Sequence, residues 1–296
     1  MLKSDSKKHS GDKPSVTYPS ISLSGGRVID FTTLPRIMGI INCTPDSFYP
    51  ESRKQQTDIA VRQALVMEQD GADIIDIGGE SSRPGSDSVP GEEEINRILP
   101  VIKGIREKST IPISVDTRKS KVAEAALDNG ADIINDISAL RDDSKLSAVA
   151  AERAAPVILM HMQGNPKNMQ KAPAYKEVIK EIYKALSKFK ENAVRAGIDE
   201  HRIIIDPGIG FGKRVEDNLS IIKHISRFTA LGPVLIGASR KSFIGSVLDR
   251  KVESRLPGTI TVQTYAALGG AAVLRVHDVQ AGADIRDMLQ ALYTAG

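Results

Sequence analysis

From residue 36 to the C-terminus, eight short apolar runs recur, each followed by a longer amphipathic stretch. The runs cover residues 37–42, 73–78, 111–116, 132–136, 156–161, 203–206, 234–237 and 271–276. They are rich in β-branched side chains and show little period-two alternation, the pattern of strands covered on both faces in a parallel sheet. Helical patterns lie between them, at 58–69, 92–108, 121–129, 176–196 and 218–227. Eight βα units in tandem predict a single (β/α)8 TIM barrel, an architecture that typically takes about 250 residues. The chain has 296. The expected organisation is a basic, disordered tail over residues 1–19 and one barrel domain over 20–296, with no linker and no second domain.

Two internal echoes support the repeat. Gly71-Ala72-Asp73-Ile74-Ile75-Asp76 resembles Gly130-Ala131-Asp132-Ile133-Ile134-Asn135, and Gly282-Ala283-Asp284-Ile285 is a fainter copy. In the first two, glycine closes a helix, where positive φ is useful. Asp73 and Asp132 then stand at the bottom of the barrel, where a structural role is expected. Residues 21–24 and 27–31, joined by Gly25-Gly26, read as a β-hairpin that plugs that end.

Composition narrows the function classes. With 40 basic and 37 acidic side chains the net charge of +3 makes no case for nucleic acid, yet would not repel an anionic substrate. Cys43 is the single cysteine, so no intrachain disulfide and no cysteine-built zinc site can form. It reads as a small packed hydrophobe. No apolar run approaches the ~20 residues of a membrane helix. The first twenty residues carry four lysines and five serines without a signal-peptide core, so no membrane is expected and a cytoplasmic address is the default.

The C-terminal ends of barrel strands converge on one mouth. Here they deliver Asn42, Asp76 with Glu80 beyond, Asp116, Asn135 with Asp136, His161, Asp206, Ser239-Arg240-Lys241, and Arg275 with His277-Asp278. Carboxylates and amides occupy one arc, Lys241, Arg275 and His277 another. Such a ring suits a ligand with hydrogen-bonding heterocyclic edges and an anionic group.

Eight ordered segments then carry a likeness. They are Met38-Gly39-Ile40-Ile41-Asn42-Cys43-Thr44-Pro45-Asp46-Ser47-Phe48, Asp76-Ile77-Gly78-Gly79-Glu80-Ser81-Ser82-Arg83-Pro84-Gly85, Ser114-Val115-Asp116-Thr117 and Ile134-Asn135-Asp136. Leu159-Met160-His161-Met162-Gln163-Gly164, Asp206-Pro207-Gly208-Ile209-Gly210-Phe211-Gly212-Lys213, Ser239-Arg240-Lys241-Ser242 and Arg275-Val276-His277-Asp278-Val279 complete the set. From about residue 35 onward the chain resembles the dihydropteroate synthases, pterin-binding TIM-barrel enzymes. The resemblance implies a transferase of folate biosynthesis that is a sulfonamide target. It would condense (7,8-dihydropterin-6-yl)methyl diphosphate with para-aminobenzoate, giving 7,8-dihydropteroate and pyrophosphate. It also implies Mg2+ and a homodimer formed through barrel helices, to which residues 285–293 are apolar enough to contribute.

Residue by residue, the resemblance implies that Asp206 accepts two pterin N–H groups and that Asn135 matches a mixed edge. Asp116 adds negative potential beside the reacting methylene, while Lys241 donates to the pterin and borders the aminobenzoate pocket. Met160 and Phe211 are the apolar faces. Arg275, His277 and Ser239 belong to the diphosphate side, and Asn42 is a neutral oxygen ligand for magnesium that otherwise keeps waters and diphosphate. Loop one (43–56) brings Asp46 and Phe48, and loop two (80–90) brings Ser82, Arg83 and Pro84, as lids around the diphosphate and the aminobenzoate pocket. Asp116, Lys241, Asp46 and Arg83 are the candidate catalytic residues. Blander readings remain for two: Asp206 ahead of Pro207-Gly208 can simply make a turn, and Asn135 can cap a helix. His161 reads as orienting its strand end. The glycines of 208–212 lack phosphate-loop spacing and read as allowing close approach beside the pterin.

Two departures from the family pattern stand out. Ser82 replaces the usual threonine. Tyr49-Pro50-Glu51-Ser52 replaces Ser-Asp-Gly-Gly, which stiffens loop one. Two rival readings share the pterin arc: a methyltetrahydrofolate methyltransferase domain and a silent pterin-binding paralogue. The diphosphate-side residues and the lack of a cobalamin domain argue against the first; only the altered loop one favours the second.

Overall fold

The computed structural model describes residues 17–32, 35–44 and 50–295. A short antiparallel pair, β1 (Ile21–Ser22) and β2 (Val28–Ile29), precedes the barrel. Gly25 and Gly26 turn it, with φ of 65° and 76° that a Cβ would disfavour. The barrel strands are β3 (Arg36–Asn42), β4 (Ile74–Gly78), β5 (Ile113–Asp116), β6 (Ile133–Asp136), β7 (Val157–Met160), β8 (Ile203–Asp206), β9 (Leu235–Ile236) and β10 (Val273–Val276). All are parallel, in the order β8-β7-β6-β5-β4-β3-β10-β9, and one parallel bridge between Ile205 and Val234 closes the ring.

Strand parity decides what each run does. Met38, Ile74, Ile133, Ile158, Ile204, Leu235 and Val273 form one interior layer, packed on Ile21, Leu23, Ile29 and Phe31 of the hairpin. The alternate residues, such as Ile37, Ile75, Ile113, Ile134, Val157, Ile205 and Leu274, pack outward on the helices. The expected plug is present at the bottom of the barrel. Asp73 and Asp132 are structural as expected. Asp73 accepts from the Ile37 N–H at 2.7 Å and pairs with Arg36 and Arg286; Asp132 accepts from the Ile113 N–H at 2.9 Å and pairs with Arg27 and Arg106. The two echoes are thus one device used twice, a carboxylate pinning the start of the preceding strand.

The helices are α1 (Pro50–Gln69), α2 (Gly91–Arg106), α3 (Ser120–Asp128), α4 (Leu146–Glu152), α5 (Val178–Arg195), α6 (Val215–Lys223), α7 (Ser242–Leu248), α8 (Leu256–Leu268) and α9 (Val279–Thr294). Three expectations need correction. Helix α1 begins at Pro50, not near residue 58, because proline at a first helical position has no N–H to lose and a preset φ. Helix α6 stops at Lys223, and Ile225–Arg227 is a separate 3-10 turn. Two helices, α7 and α8, follow β9 where the repeat predicts one. The faint copy at 282–285 lies inside α9 and marks no strand. Of the expected tail, residues 1–16 lie outside the described residues, whereas Tyr18 stacks edge-on against Phe31 at 5.9 Å.

Candidate active site

The inward parity is apolar at the bottom, Ser114 apart, and turns polar towards the mouth, Met160 apart. Asp76, Asp116, Asn135, Met160, Asp206 and Arg275 continue the rows begun by Ile74, Ser114, Ile133, Ile158, Ile204 and Val273. Arg275 spans the arc: its Nε donates to Asp76 Oδ2 at 2.6 Å and its Nη2 to Asp116 Oδ2 at 3.0 Å. Asn135 Nδ2 donates to the same Asp76 oxygen at 3.1 Å. Asp76 was in the sequence ring but without a role, and it proves to be the fully buried hub of the arc. Its signal was a lone carboxylate inside an apolar run.

Electrostatics follow from this burial. Desolvation pushes Asp116 up to about 7, against the opposing pull of Arg275. Asp206 is also raised by burial, restrained by Lys241 and by the Gly208 N–H, which donates to its Oδ1 at 2.7 Å. The turn contact engages one of the two Asp206 oxygens, Oδ1. Burial lowers Lys241 to about 8, with Asp206 opposing. The Lys241 ammonium lies 4.4 Å from the centre of the Phe211 ring and donates to the Ile209 carbonyl. Phe211 packs on Ile137, Met160, Met162 and Met169, an apolar floor wider than the two residues singled out from the sequence.

On the opposite side, Ser239 Oγ accepts from the His277 N–H at 3.2 Å and shares a 3.1 Å hydrogen bond with its Nδ1. Partial desolvation and Arg275 push the His277 ring down to about 4, so it is neutral at pH 7. Asn42 ends β3, the strand paired to β10, and is exposed there.

A family model described as pterin binding enzyme matches residues 38–277. A Synechocystis dihydropteroate synthase is 42% identical over 95% of this chain and 98% of its own. The chain belongs to the dihydropteroate synthase family. Two solved relatives agree in fold. A Xanthomonas albilineans dihydropteroate synthase with 4-aminobenzoic acid has a TM-score of 0.86 at 42% identity, covering 95% of this chain and all of that one. A Yersinia pestis dihydropteroate synthase with a sulfonamide drug has a TM-score of 0.87 at 37% identity, covering 94% and 100%.

Set against that family, the mouth gathers Asp116, Asn135, Met160, Asp206, Phe211, Ser239, Lys241, Arg275 and His277. Loop two stands further out. Glu80 closes its stem, accepting from the Val89 N–H at 2.8 Å, Ser88 Oγ at 3.0 Å and Lys119 at 2.6 Å, while Ser82 is half-buried and Arg83 and Pro84 are exposed. Despite burial that opposes it, Lys119, the Val89 N–H and Arg118 hold Glu80 down to about 2. Asp46 and Phe48 of loop one lie outside the described residues.

Several neighbours prove structural. Asp136 accepts from the N–H groups of Ser138 and Leu140, at 2.7 and 2.6 Å, and shapes its own turn. His161 accepts from Lys213, whose Nζ lies 3.1 Å from Nδ1, and burial drives the ring down to about 2. Lys213, buried and lowered to about 7 by desolvation, was not foreseen. The glycine run approaches the chain itself: a Cβ on Gly208 would sit 2.0 Å from the His161 carbonyl oxygen, one on Gly210 3.0 Å from Lys241, and one on Gly212 2.7 Å from the Gln163 carbonyl oxygen. Its close contacts are with β7's loop and Lys241. Cys43 packs against the core, and burial pushes its thiol up to about 12.

Proposed function

We propose that this chain joins para-aminobenzoate to the methylene of (7,8-dihydropterin-6-yl)methyl diphosphate, giving 7,8-dihydropteroate and pyrophosphate. The observation that carries the reading is one mouth with two faces: a buried carboxylate–amide arc over an apolar floor, beside Arg275, His277 and Ser239, whose N–H and O–H groups can donate to an anion. The Xanthomonas albilineans relative solved with 7,8-dihydropteroate, at 39% identity, supports the ligand class.

Asp206, ionised, accepts paired N–H groups of the pterin edge, and Asn135 meets the adjoining donor and acceptor. Lys241 donates to the ring carbonyl or nitrogen, and Met160 and Phe211 of the apolar floor pack against the heterocycle. The methylene–oxygen bond breaks, its electron pair leaving with diphosphate. Asp116 stabilises the positive charge that grows on the methylene. The aniline nitrogen then bonds to that carbon and sheds a proton. Arg275, His277 and Ser239 face the diphosphate. The Arg275 fork is already engaged by two carboxylates at Nε and Nη2, so its Nη1 is the edge offered to the anion. Ser82, Arg83 and Pro84, with Asp46 and Phe48, close over the second substrate.

Among the described residues, no cluster of three or more acidic, histidine or cysteine side chains is present to cage a metal. The donor set fits Mg2+ that arrives on diphosphate and keeps its waters, with Asn42 as one neutral oxygen ligand. When bound, the ion would neutralise charge on the leaving group. The apolar side chains of 285–293 divide: Ile285 and Leu289 are buried beside Ala267, whereas Met288 and Leu292 are 61% and 63% exposed. With Tyr265 and Leu268 of α8 also exposed, at 51% and 53%, this face supports a homodimer. Among the described residues no helix is long and apolar enough to cross a membrane, and a cytoplasmic enzyme is the matching proposal.

Steady-state pyrophosphate release with both substrates tests the reading. Release that requires both, disappears with a chelator and returns with Mg2+ is expected. Pterin binding without release would point to the silent paralogue and overturn it.

A further inference from the structure

Arg240 is flanked by two site residues, yet it reaches into neither ligand region. Its φ of 54° lies in the left-handed region, where a side chain is disfavoured and glycine is the ordinary choice. Its Nε and Nη2 meet the two carboxylate oxygens of Asp278, each at 2.8 Å, as a bidentate pair. Its Nη1 donates to the carbonyls of Val252 and Glu253, each at 3.0 Å, in the turn between α7 and α8. Its own N–H donates to Thr259 Oγ1 on α8 at 3.0 Å, and its carbonyl accepts from Arg255 Nη1 at 3.0 Å. Four of the five guanidinium N–H groups go to these anchors.

The direction of the turn matters. In extended backbone, residues two apart project to one side. The left-handed residue at 240 instead sends Ser239 to His277 just past β10 and Lys241 to the Ile209 carbonyl beyond β8. Asp278 follows His277 directly, so the ion pair ties both halves of the Ser239–His277 contact into one frame. Lys241 has anchors of its own at Ile209 and Phe211, whereas among the described residues the Ser239 side chain bonds to His277 alone.

We propose that the Arg240–Asp278 ion pair is a positioning clamp for the diphosphate side of the site, locking the Ser239 turn onto the His277 end of β10. The inference rests on the functional reading above. Arg240 and Asp278 are positioning residues, since Nε, Nη1 and Nη2 of Arg240 all bond to the protein.

Three variants test it. Arg240→Gly keeps the left-handed turn without the clamp, Asp278→Asn keeps the shape without the charge, and Arg240→Lys keeps a point charge without the fork. In Arg240→Gly and Asp278→Asn, pyrophosphate affinity and kcat should each fall at least tenfold, while calorimetric affinity for free pterin changes less than threefold. Arg240→Lys should recover part of the loss. Pyrophosphate affinity and kcat within twofold of wild type in both variants would overturn the clamp. So would a loss of pterin affinity as large as the loss of kcat together with a lower melting temperature, because that is general loosening. A wild-type chain that releases no pyrophosphate refutes the functional reading instead. The clamp is then judged on pyrophosphate affinity alone, where unchanged variants sink it.

Discussion

Replacing Arg275 by methionine removes the cation that bridges Asp76 and Asp116 and keeps most of the side-chain volume. Asp76 has no exposed side-chain area and receives the Nε at 2.6 Å, whereas Asp116 keeps 14% exposure and receives Nη2 at 3.0 Å. Breaking a buried ion pair by deleting one partner costs about 3–5 kcal/mol, mainly through the charge left behind. The lower end applies here at mildly acid pH, where Asp116, at about 7, is already protonated and no longer needs a cation beside it. The sign of the pH effect follows. A carboxyl raised in the folded state contributes stability below its unfolded value near 4, and that contribution is lost as pH rises towards 7. Arg275 limits the rise, so each further unit gained without it costs about 1.4 kcal/mol once the pH exceeds the new value. Urea unfolding should therefore give a deficit of about 3 kcal/mol at pH 5 and more at pH 8. In a chain of this size about 3 kcal/mol corresponds to a Tm lower by roughly 6–12 °C. Adding Asp76→Asn should recover much of the loss at pH 5, since the buried carboxyl that loses the Arg275 donor is replaced by a neutral amide, with a coupling of about 2 kcal/mol in the double-mutant cycle. A single variant within 1 kcal/mol of wild type, or a coupling near zero, would refute this account of the arc.

Three further outcomes are expected. The kcat/KM profile of the free enzyme should be a narrow bell, falling below about pH 7 as Asp116 protonates and above about pH 8 as Lys241 deprotonates; Lys241→Arg should remove the alkaline limb alone. Gly208→Ala should lose at least ~3 kcal/mol in chemical denaturation or fail to fold, given a Cβ 2.0 Å from a carbonyl oxygen at a φ of 72°, and a soluble variant of wild-type stability would contradict it. Light scattering should report twice the 31.9 kDa protomer mass, reduced to one protomer by Leu268→Lys with Leu292→Lys; a wild-type monomer at micromolar concentration would end the dimer.

The sequence by itself determined the barrel, because the βα units carry local signals: β-branched runs, helical periods between them and, before β4 and β6, a glycine at the helix end with an aspartate ahead of the next strand. The hairpin plug was legible for the same local reason, through Gly25-Gly26. So was the circle of polar strand ends, which the barrel's single mouth gathers whatever the exact register. The side of the strand that each residue faces was not legible. The runs are apolar on both parities, so only the closed and tilted sheet shows that Ile74 and Asp76 share an interior row while Asp136 turns away. Pairings across the barrel were also out of reach. Arg275 meets carboxylates 199 and 159 positions earlier in the chain, and Lys213 meets a histidine 52 positions earlier. Arg240 holds a left-handed turn that its residue type disfavours and its neighbours impose. Local chemistry fixes where elements start and stop, but the direction of a side chain and the partner of a buried charge depend on strand register and closure, which are properties of the whole ring.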